Sequence, residues 1–265
     1  MNLQHQLTTT LNLIQSSRTI GEIVSGQELL SLIDLTLLDK TATKTDIISL
    51  LNKATQHQVA AICIYPEYLN DVSPELNIKR ATVVNFPGGN EATQQVLQTI
   101  ENTATTTIVH EIDYVFPYPL YLAGHESQAL LSCFEAFQLC KQHGLLFKVI
   151  LETGAFPSPE SIYTLSRKII ESGCDFLKTS TGKIGIGASI PAAFAMLSAM
   201  IDMNTSCGIK ISGGIKTAAD ALSYIELAEH MLSKKPDSSW FRIGTSTLLT
   251  QNQCEPHDKT IPNIL

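Results

Sequence analysis

The sequence predicts an α/β fold, a (β/α)8 TIM barrel with an extra N-terminal helical segment. Three observations carry this. Eight short apolar, β-branched runs recur along the 265 residues, longer segments of helical period separate them, and no linker or low-complexity stretch divides the chain. The runs are "LIDLTLL" (32–38), "AAICIY" (60–65), "RATVVNF" (80–86), "TIVHEIDYVF" (107–116), "LLFKVILET" (145–153), "CDFLKTS" (174–180), "GIKISGG" (208–214) and "WFRIGTS" (240–246). Runs of this length bounded by Gly, Pro and small polar residues read as strands. An open doubly wound sheet shares the alternation, but the strand count and chain length favour a closed barrel.

The segments between the runs carry helix punctuation. Thr43 with Asp46, and Thr217 with Asp220, have the spacing of capping boxes with Asp in place of Glu, and Ser158 before Pro159 fits an N-cap followed by N1. Gly144 and Gly173 stand where a glycine ends a helix. In "ALLSCFEAFQLCKQHG" the apolar residues repeat at three and four positions, the pattern of a helix lying on a sheet. One domain, 1–265, is expected. Residues 1–31 form a helical extension at the barrel's bottom or flank, and 251–265 form a poorly ordered tail.

Composition excludes several functions. With 44% hydrophobic and 16% charged residues the chain can bury a sizeable core, and its net charge of −7, with no Lys/Arg-rich run, argues against nucleic-acid and anionic-membrane partners. The N-terminus lacks a cationic segment followed by an apolar one, and no stretch is apolar for a bilayer's thickness, so a cytoplasmic location is expected. Cys63, Cys133, Cys140, Cys174, Cys207 and Cys254 show no CxxC spacing and read as reduced, mostly core residues; the histidines are dispersed, so nothing local supports a metal.

Lys178 stands out because "CDFLKTSTGK" places it in a strand-forming run just before the exit into a loop. Burial disfavours the ammonium, and a lysine kept neutral is a nucleophile able to form a Schiff base. On this stretch alone the plainer reading, a strand lysine on a solvated face or edge, is the stronger. A barrel changes the balance, since active-site residues there sit at the C-terminal ends of strands. Lys210, Lys148, Asp113 and Asp34 fall in four other runs. Alternation puts Lys178 on one face with Phe176 and Ser180, and Lys210 with Ser212. If both lysines point inward, Lys210 depresses the pKa of Lys178, Asp113 can carry protons, and Lys148 can hold Asp113 or a water by an ion pair.

The last two runs exit through "SGGIKT", with Ser212, Gly213 and Gly214, and "IGTST", with Gly244, Thr245, Ser246 and Thr247. Glycine-freed backbone N–H groups beside hydroxyls make a small anion site, and the loops after the seventh and eighth strands are a frequent phosphate position in barrels.

Taken in order from about residue 32 to 250, "IDLTLL", "AAICIYPEYL", "ATVVNFPGGN", "EIDYVFPY", "FKVILETG", "DFLKTSTGK", "IKISGGIKTAADA" and "FRIGTSTLL" resemble the signatures of the deoxyribose-phosphate aldolases, which are class I aldolases. The resemblance implies reversible cleavage of 2-deoxy-D-ribose 5-phosphate to acetaldehyde and D-glyceraldehyde 3-phosphate, with no metal or organic cofactor. It implies Lys178 as the Schiff-base lysine, Lys210 as the neighbour that perturbs it, and Asp113 as an acid/base acting through a water. Cys63 and Lys148 fall on motif positions at the substrate, Asp34 would contact substrate hydroxyls, and Lys183 with the backbone of Gly213, Gly214, Gly244, Ser246 and Thr247 would hold the phosphate. The expected partners are small molecules, with a homodimer as the assembly to test.

Two departures stand beside the match. The better-known branch ends in a tyrosine implicated in proton transfer, whereas this chain ends "TIPNIL" and has no tyrosine after Tyr224; and "KISGG" replaces a Lys-Pro-Ala type lead into the glycine pair. Two other readings stay open: a Schiff-base aldolase of another sugar phosphate or a keto acid, and a non-catalytic sugar-phosphate-binding barrel.

Overall fold

Each strand pairs in parallel with the next, and the first closes on the eighth, in the order β1-β2-β3-β4-β5-β6-β7-β8. The computed structural model describes residues 3–17 and 26–246. Helices α1 (Leu3–Ser17) and α2 (Gly26–Ser31) precede β1 (Ile33–Leu37). Then come α3 (Lys44–His57), β2 (Ala61–Ile64), β3 (Lys79–Val84), α4 (Thr93–Thr106), β4 (Glu111–Val115), α5 (Tyr118–Leu122), α6 (Glu126–Gln142) and β5 (Leu146–Ile150). The remainder is α7 (Pro159–Ser172), β6 (Phe176–Lys178), α8 (Ile190–Asp202), β7 (Gly208–Ser212), α9 (Ala218–Leu232) and β8 (Phe241–Thr245). All eight predicted runs contain a strand. The sixth keeps only three strand residues; beyond them Thr179 still bonds backbone to backbone with Lys210 of β7, while its hydroxyl and that of Thr181 turn to Ser212 carbonyl and the Glu152 carboxylate.

Alternation separates two interiors. Ile33, Leu35, Ile62, Ile64, Ile112, Tyr114, Phe147, Val149, Leu177, Ile209, Ile211, Phe241 and Ile243 pack outward into one core with the apolar faces of the helices. Inside the barrel Cys63, Ala81 and Val83 form an apolar patch, with Leu38 and Tyr65 packed on it. The inward positions of β1 and β4 to β8 include every charged strand residue of the interior, interspersed with buried Phe176, Val115 and Ile150. The stabilising apolar burial therefore lies between barrel and helices, which leaves the barrel's axis for polar side chains.

Local chemistry explains the helix ends. Thr43 N–H donates to Asp46 Oδ2 at 2.8 Å while Asp46 N–H donates to Thr43 Oγ1 at 3.3 Å, and Thr217 and Asp220 repeat the pair at 2.9 and 3.0 Å. Ser158 caps α7 with Ser161 as its reciprocal partner, and Pro159 fills the first helical turn. Gly144 has φ +67°, the left-handed exit that glycine allows, and a Cβ at Gly173 would collide with the Phe137 ring. The N-terminal extension lies on the flank: α1 packs against α7, α8 and α9, with Leu3 and Leu7 buried. Cys63, Cys133, Cys140 and Cys207 are buried free thiols; half-buried Cys174 is also free and sits 3.3 Å, sulfur to sulfur, from Cys207. Cys254 and the tail 251–265 lie outside the described residues. Among the described residues no helix is long and apolar enough to cross a membrane.

The capping box of α9 gives a first prediction. Thr217→Ala removes the acceptor for Asp220 N–H and should lower the unfolding free energy by about 1 kcal/mol. Urea denaturation should show an earlier midpoint at unchanged slope, and an unmoved midpoint would contradict the cap's role.

Candidate functional site

Strand register assembles the charged side chains. Lys178 pairs with Lys210 across β6 and β7, Lys210 with Arg242 across β7 and β8, and Asp113 with Lys148 across β4 and β5, while Asp34 and Ser212 both lie opposite Gly244. Six strands thus deliver their ionic groups to one level of the axis.

Asp113 is the hub. Its Oδ2 accepts from Lys178 Nζ at 2.8 Å and from Lys210 Nζ at 2.7 Å, and its Oδ1 accepts from Lys148 Nζ at 2.8 Å. Lys210 Nζ also lies 2.6 Å from Asp34 Oδ2. Below this, Lys148 donates to Glu111 Oε2 at 2.5 Å, and Arg242 bridges Asp34 Oδ1 at 2.6 Å and Glu111 Oε1 at 3.3 Å. The side chain of Lys178 keeps 4% of its surface exposed and those of Lys148 and Lys210 keep none, so Lys178 is the ammonium on the solvent side.

Counting charge singles out the lysine least held in its charged form. Asp34, Glu111 and Asp113 supply three negative charges against Lys148, Lys210, Arg242 and Lys178. At ion-pair distance four cations face three carboxylates, an imbalance that disfavours one of the ammonium charges. Lys178 meets one carboxylate, whereas Lys148 meets three and Lys210 and Arg242 meet two each. Burial lowers the pKa of Lys178; Asp113 opposes the shift and Lys210 adds to it. Burial also opposes charge on Lys148 and Lys210, but their carboxylates outweigh it and raise both pKa values. Burial alone would protonate Asp113 and Asp34, yet Lys148, Lys178 and Lys210 around Asp113, and Lys210, Lys148 and Arg242 around Asp34, hold both well below the usual carboxylate range. The geometry can therefore present a neutral amine beside an ionised carboxylate.

Cys63 lies 4.0 Å from Asp113 Oδ2, fully buried, and burial and the Asp113 charge push its thiol up to about 11. It is a protonated neighbour of the hub at neutral pH.

The loops above β5, β6 and β7 are laced together. Glu152, buried and left-handed at φ 56°, accepts from Thr181 Oγ1 at 2.5 Å and from Thr181 N–H at 3.3 Å. Thr179 Oγ1 donates to Ser212 carbonyl at 2.9 Å and Ser212 Oγ donates to Ser180 carbonyl at 2.6 Å. Gly213 has φ +87° and approaches closely: a Cβ there would lie 3.1 Å from Gly187 Cα, and its carbonyl accepts from Ala188 N–H at 2.8 Å. In "VNFPGGN", Asn85 braces the loop after β3, donating to Val115 carbonyl at 2.9 Å and accepting from Glu91 N–H at 2.8 Å.

The residues expected at the phosphate fall at this same end. Gly213 and Gly214 leave β7, and exposed Ser246 follows β8. Lys183 reaches across the mouth to donate to Leu38 carbonyl at 2.8 Å. Gly244 differs in kind: it lies within β8, where a Cβ would stand 3.1 Å from Lys210 Cε and 2.9 Å from Ser212 Cβ, so its bareness makes room for the lysine stem. Thr247 lies outside the described residues. Three members went unread in the sequence: Glu111, Arg242 and Glu152. Glu111 is two residues before Asp113 and Arg242 two before Gly244, so alternation could have found both. For Glu152, a left-handed non-glycine, no sequence signal exists. Among the described residues no group of three or more His, Cys, Asp and Glu side chains is placed to hold a metal ion.

Two predictions follow from the ionic cluster. Asp113→Ala strands the lysines around it and should lower stability by about 3–5 kcal/mol, read by urea denaturation; a loss below about 1 kcal/mol would contradict the hub. The pH dependence has a definite sign. Asp34 and Asp113 have folded pKa values below their unfolded values, so their contribution is present above the unfolded pKa near ~4 and is lost as pH falls through the folded values. Glu152, whose pKa burial raises, works in the opposite sense. The melting temperature should fall steeply on acidification below about pH 4, and a flat profile there would contradict the assignment.

Comparison with known proteins agrees with this architecture. A family model described as DeoC/LacD family aldolase matches residues 29–251. Among solved structures, an Aeropyrum pernix deoxyribose phosphate aldolase, described as a unique tetramer, superposes with a TM-score of 0.72 at 25% identity, covering 92% of this chain and 95% of its own. A Coccidioides immitis protein assigned as a deoxyribose-phosphate aldolase superposes with a TM-score of 0.76 at 22% identity, over 94% of this chain and 97% of its own, a likeness of fold.

Proposed function

The chain belongs to the DeoC/LacD family of aldolases, and from that premise we propose that it is a class I deoxyribose-phosphate aldolase acting through Lys178. The observation that carries the reading is the neutral-amine geometry: Lys178 at the barrel mouth, 2.8 Å from ionised Asp113 and paired in register with charged Lys210. Similarity to the Aeropyrum pernix enzyme supports the substrate.

In this reading the Lys178 amine attacks the C1 aldehyde of 2-deoxy-D-ribose 5-phosphate, and loss of water gives an iminium. Proton transfers in that step fall to Asp113, through a water, and to Lys210, whose raised pKa keeps an ammonium at hand. The iminium draws the C2–C3 electron pair inward as the C3 hydroxyl loses its proton. D-glyceraldehyde 3-phosphate leaves, and an enamine remains on the lysine. Protonation at C2 and hydrolysis release acetaldehyde and restore the amine. The iminium puts a fourth positive charge among three carboxylates, and collapse to the neutral enamine removes it, so the charge balance of the cluster favours cleavage.

Asp34 and Lys148, in contact with one another, would line the wall beside the reacting carbons, and Cys63 would add a protonated thiol. Lys183, the N–H groups of Gly213 and Gly214, and Ser246 would hold the phosphate, with Thr247 beyond. Gly244 contributes by leaving space for Lys210. In this reading protonation of the enamine falls to Asp113, through a water.

Borohydride reduction in the presence of deoxyribose 5-phosphate, followed by peptide mass mapping, should place the adduct on Lys178. Lys178→Leu should abolish turnover and leave the fold at least as stable, since it removes a desolvated amine; turnover in that variant would overturn the reading. In the wild type, kcat/KM should rise with pH through an apparent pKa below the ordinary lysine value of about 10.4. Lys210→Met leaves Lys178, Lys148 and Arg242 to balance three carboxylates, so Lys178 should keep its proton and the acid limb should move to higher pH. An unmoved limb would deny Lys210 its part.

A further inference from the structure

The opposite end of the barrel holds a second polar cavity, of about 430 Å³, where β2, β3 and β4 begin. Glu75, Asn77, Lys79, Arg80, Ile108 and His110 are among its lining residues. It lies at the N-terminal ends of the strands, away from the Lys178 cluster.

Arg80 is the unusual member. It is 2% exposed, and burial lowers its pKa with no acidic neighbour to offset the shift. Its Nη2 donates to Ser73 carbonyl at 2.7 Å and reaches Leu76 carbonyl at 3.5 Å, while Nε is buried without a hydrogen-bond partner. The contrast within the molecule is direct: Arg242, 6% exposed, is paired with both Asp34 and Glu111. No carboxylate pairs with Arg80 among the described residues, although buried guanidinium groups are ordinarily paired.

The surroundings add donors. His110 Nδ1 accepts from Arg80 N–H at 3.1 Å, so the neutral ring carries its proton on Nε2. Burial first, and then the charges of Lys79 and Arg80, hold the His110 pKa down against the opposing charge of Glu111. Lys79 is exposed at the rim, and exposed Glu75 is the one carboxylate on the lining.

We propose that this cavity binds a small oxyanion, inorganic phosphate or the phosphate group of a metabolite, held by the Arg80 guanidinium, the His110 Nε2–H and the Lys79 ammonium. The planar guanidinium with unused donors suits a tetrahedral oxyanion, and bound charge would supply the counter-ion that the fold omits. The site is independent of the catalytic reading, since none of its residues faces the Lys178 cluster.

The test is a titration of the full chain with inorganic phosphate, followed by NMR at the His110 ring, against sodium chloride at matched ionic strength. The expected result is a saturable shift of the His110 resonances and a rise in the His110 pKa, absent with chloride. Arg80→Met should weaken binding about tenfold or more, the loss of a charge-assisted hydrogen bond. Lys183→Ala, at the other end of the barrel, should leave the His110 response unchanged, which separates this site from any phosphate held at the mouth. If Arg80→Met does not fold, Lys79→Ala decides, with a severalfold loss expected. No saturation, an equal response to chloride, or unchanged affinity in the deciding variant would overturn the proposal.

Discussion

One carboxylate holds the inside of this barrel together. Asp113 accepts from three lysine nitrogens on three strands, and two of those lysines reach further: Lys210 meets Asp34 on β1, Lys148 meets Glu111 on β4, and Lys178 stands at the mouth. A barrel of this size is ordinarily filled by layers of branched apolar side chains. Here the filling at this level is ionic, and an ionic filling works only when every charge finds an opposite one. The count of three carboxylates against four basic groups at ion-pair distance is therefore both a packing constraint and a reason why the pKa of Lys178 is lowered.

The architecture was legible in the sequence because its signals are local. Outward residues such as Ile62, Ile64, Ile209 and Ile211 alternate strictly, and Thr43–Asp46 and Thr217–Asp220 close their capping boxes as their spacing indicates. The site was legible in part. Lys178, Lys210, Lys148, Asp113 and Asp34 were visible as charges in strands, and the register brings all five together. Glu111 and Arg242 went unread because a charge near the start of a run looks like a solvated end; only closure of the barrel shows that these positions turn inward. Glu152 was invisible because its function depends on a backbone conformation that its residue type does not announce. The expected phosphate positions were read from glycine placement, and at Gly244 the structure adds a packing reason for glycine that the sequence did not announce.

The two ends of the barrel handle buried cations in opposite ways. At the mouth, Arg242, Lys148 and Lys210 are neutralised by acids from neighbouring strands. At the base, the Arg80 guanidinium donates to the neutral carbonyls of Ser73 and Leu76 and meets no carboxylate among the described residues. The first arrangement fixes protonation states in advance; the second leaves the electrostatic potential unsatisfied.

Gly244 has a further consequence. The missing side chain on β8 leaves room for the stem of Lys210 on its way to Asp113 and Asp34, and that position governs how strongly Lys210 repels a proton on Lys178 of the adjoining strand. The basicity of the nitrogen on β6 is thus adjusted mechanically, by an empty volume two strands away. Natural variation in the size of that one position would tune the pH range of the amine without altering any group that touches it.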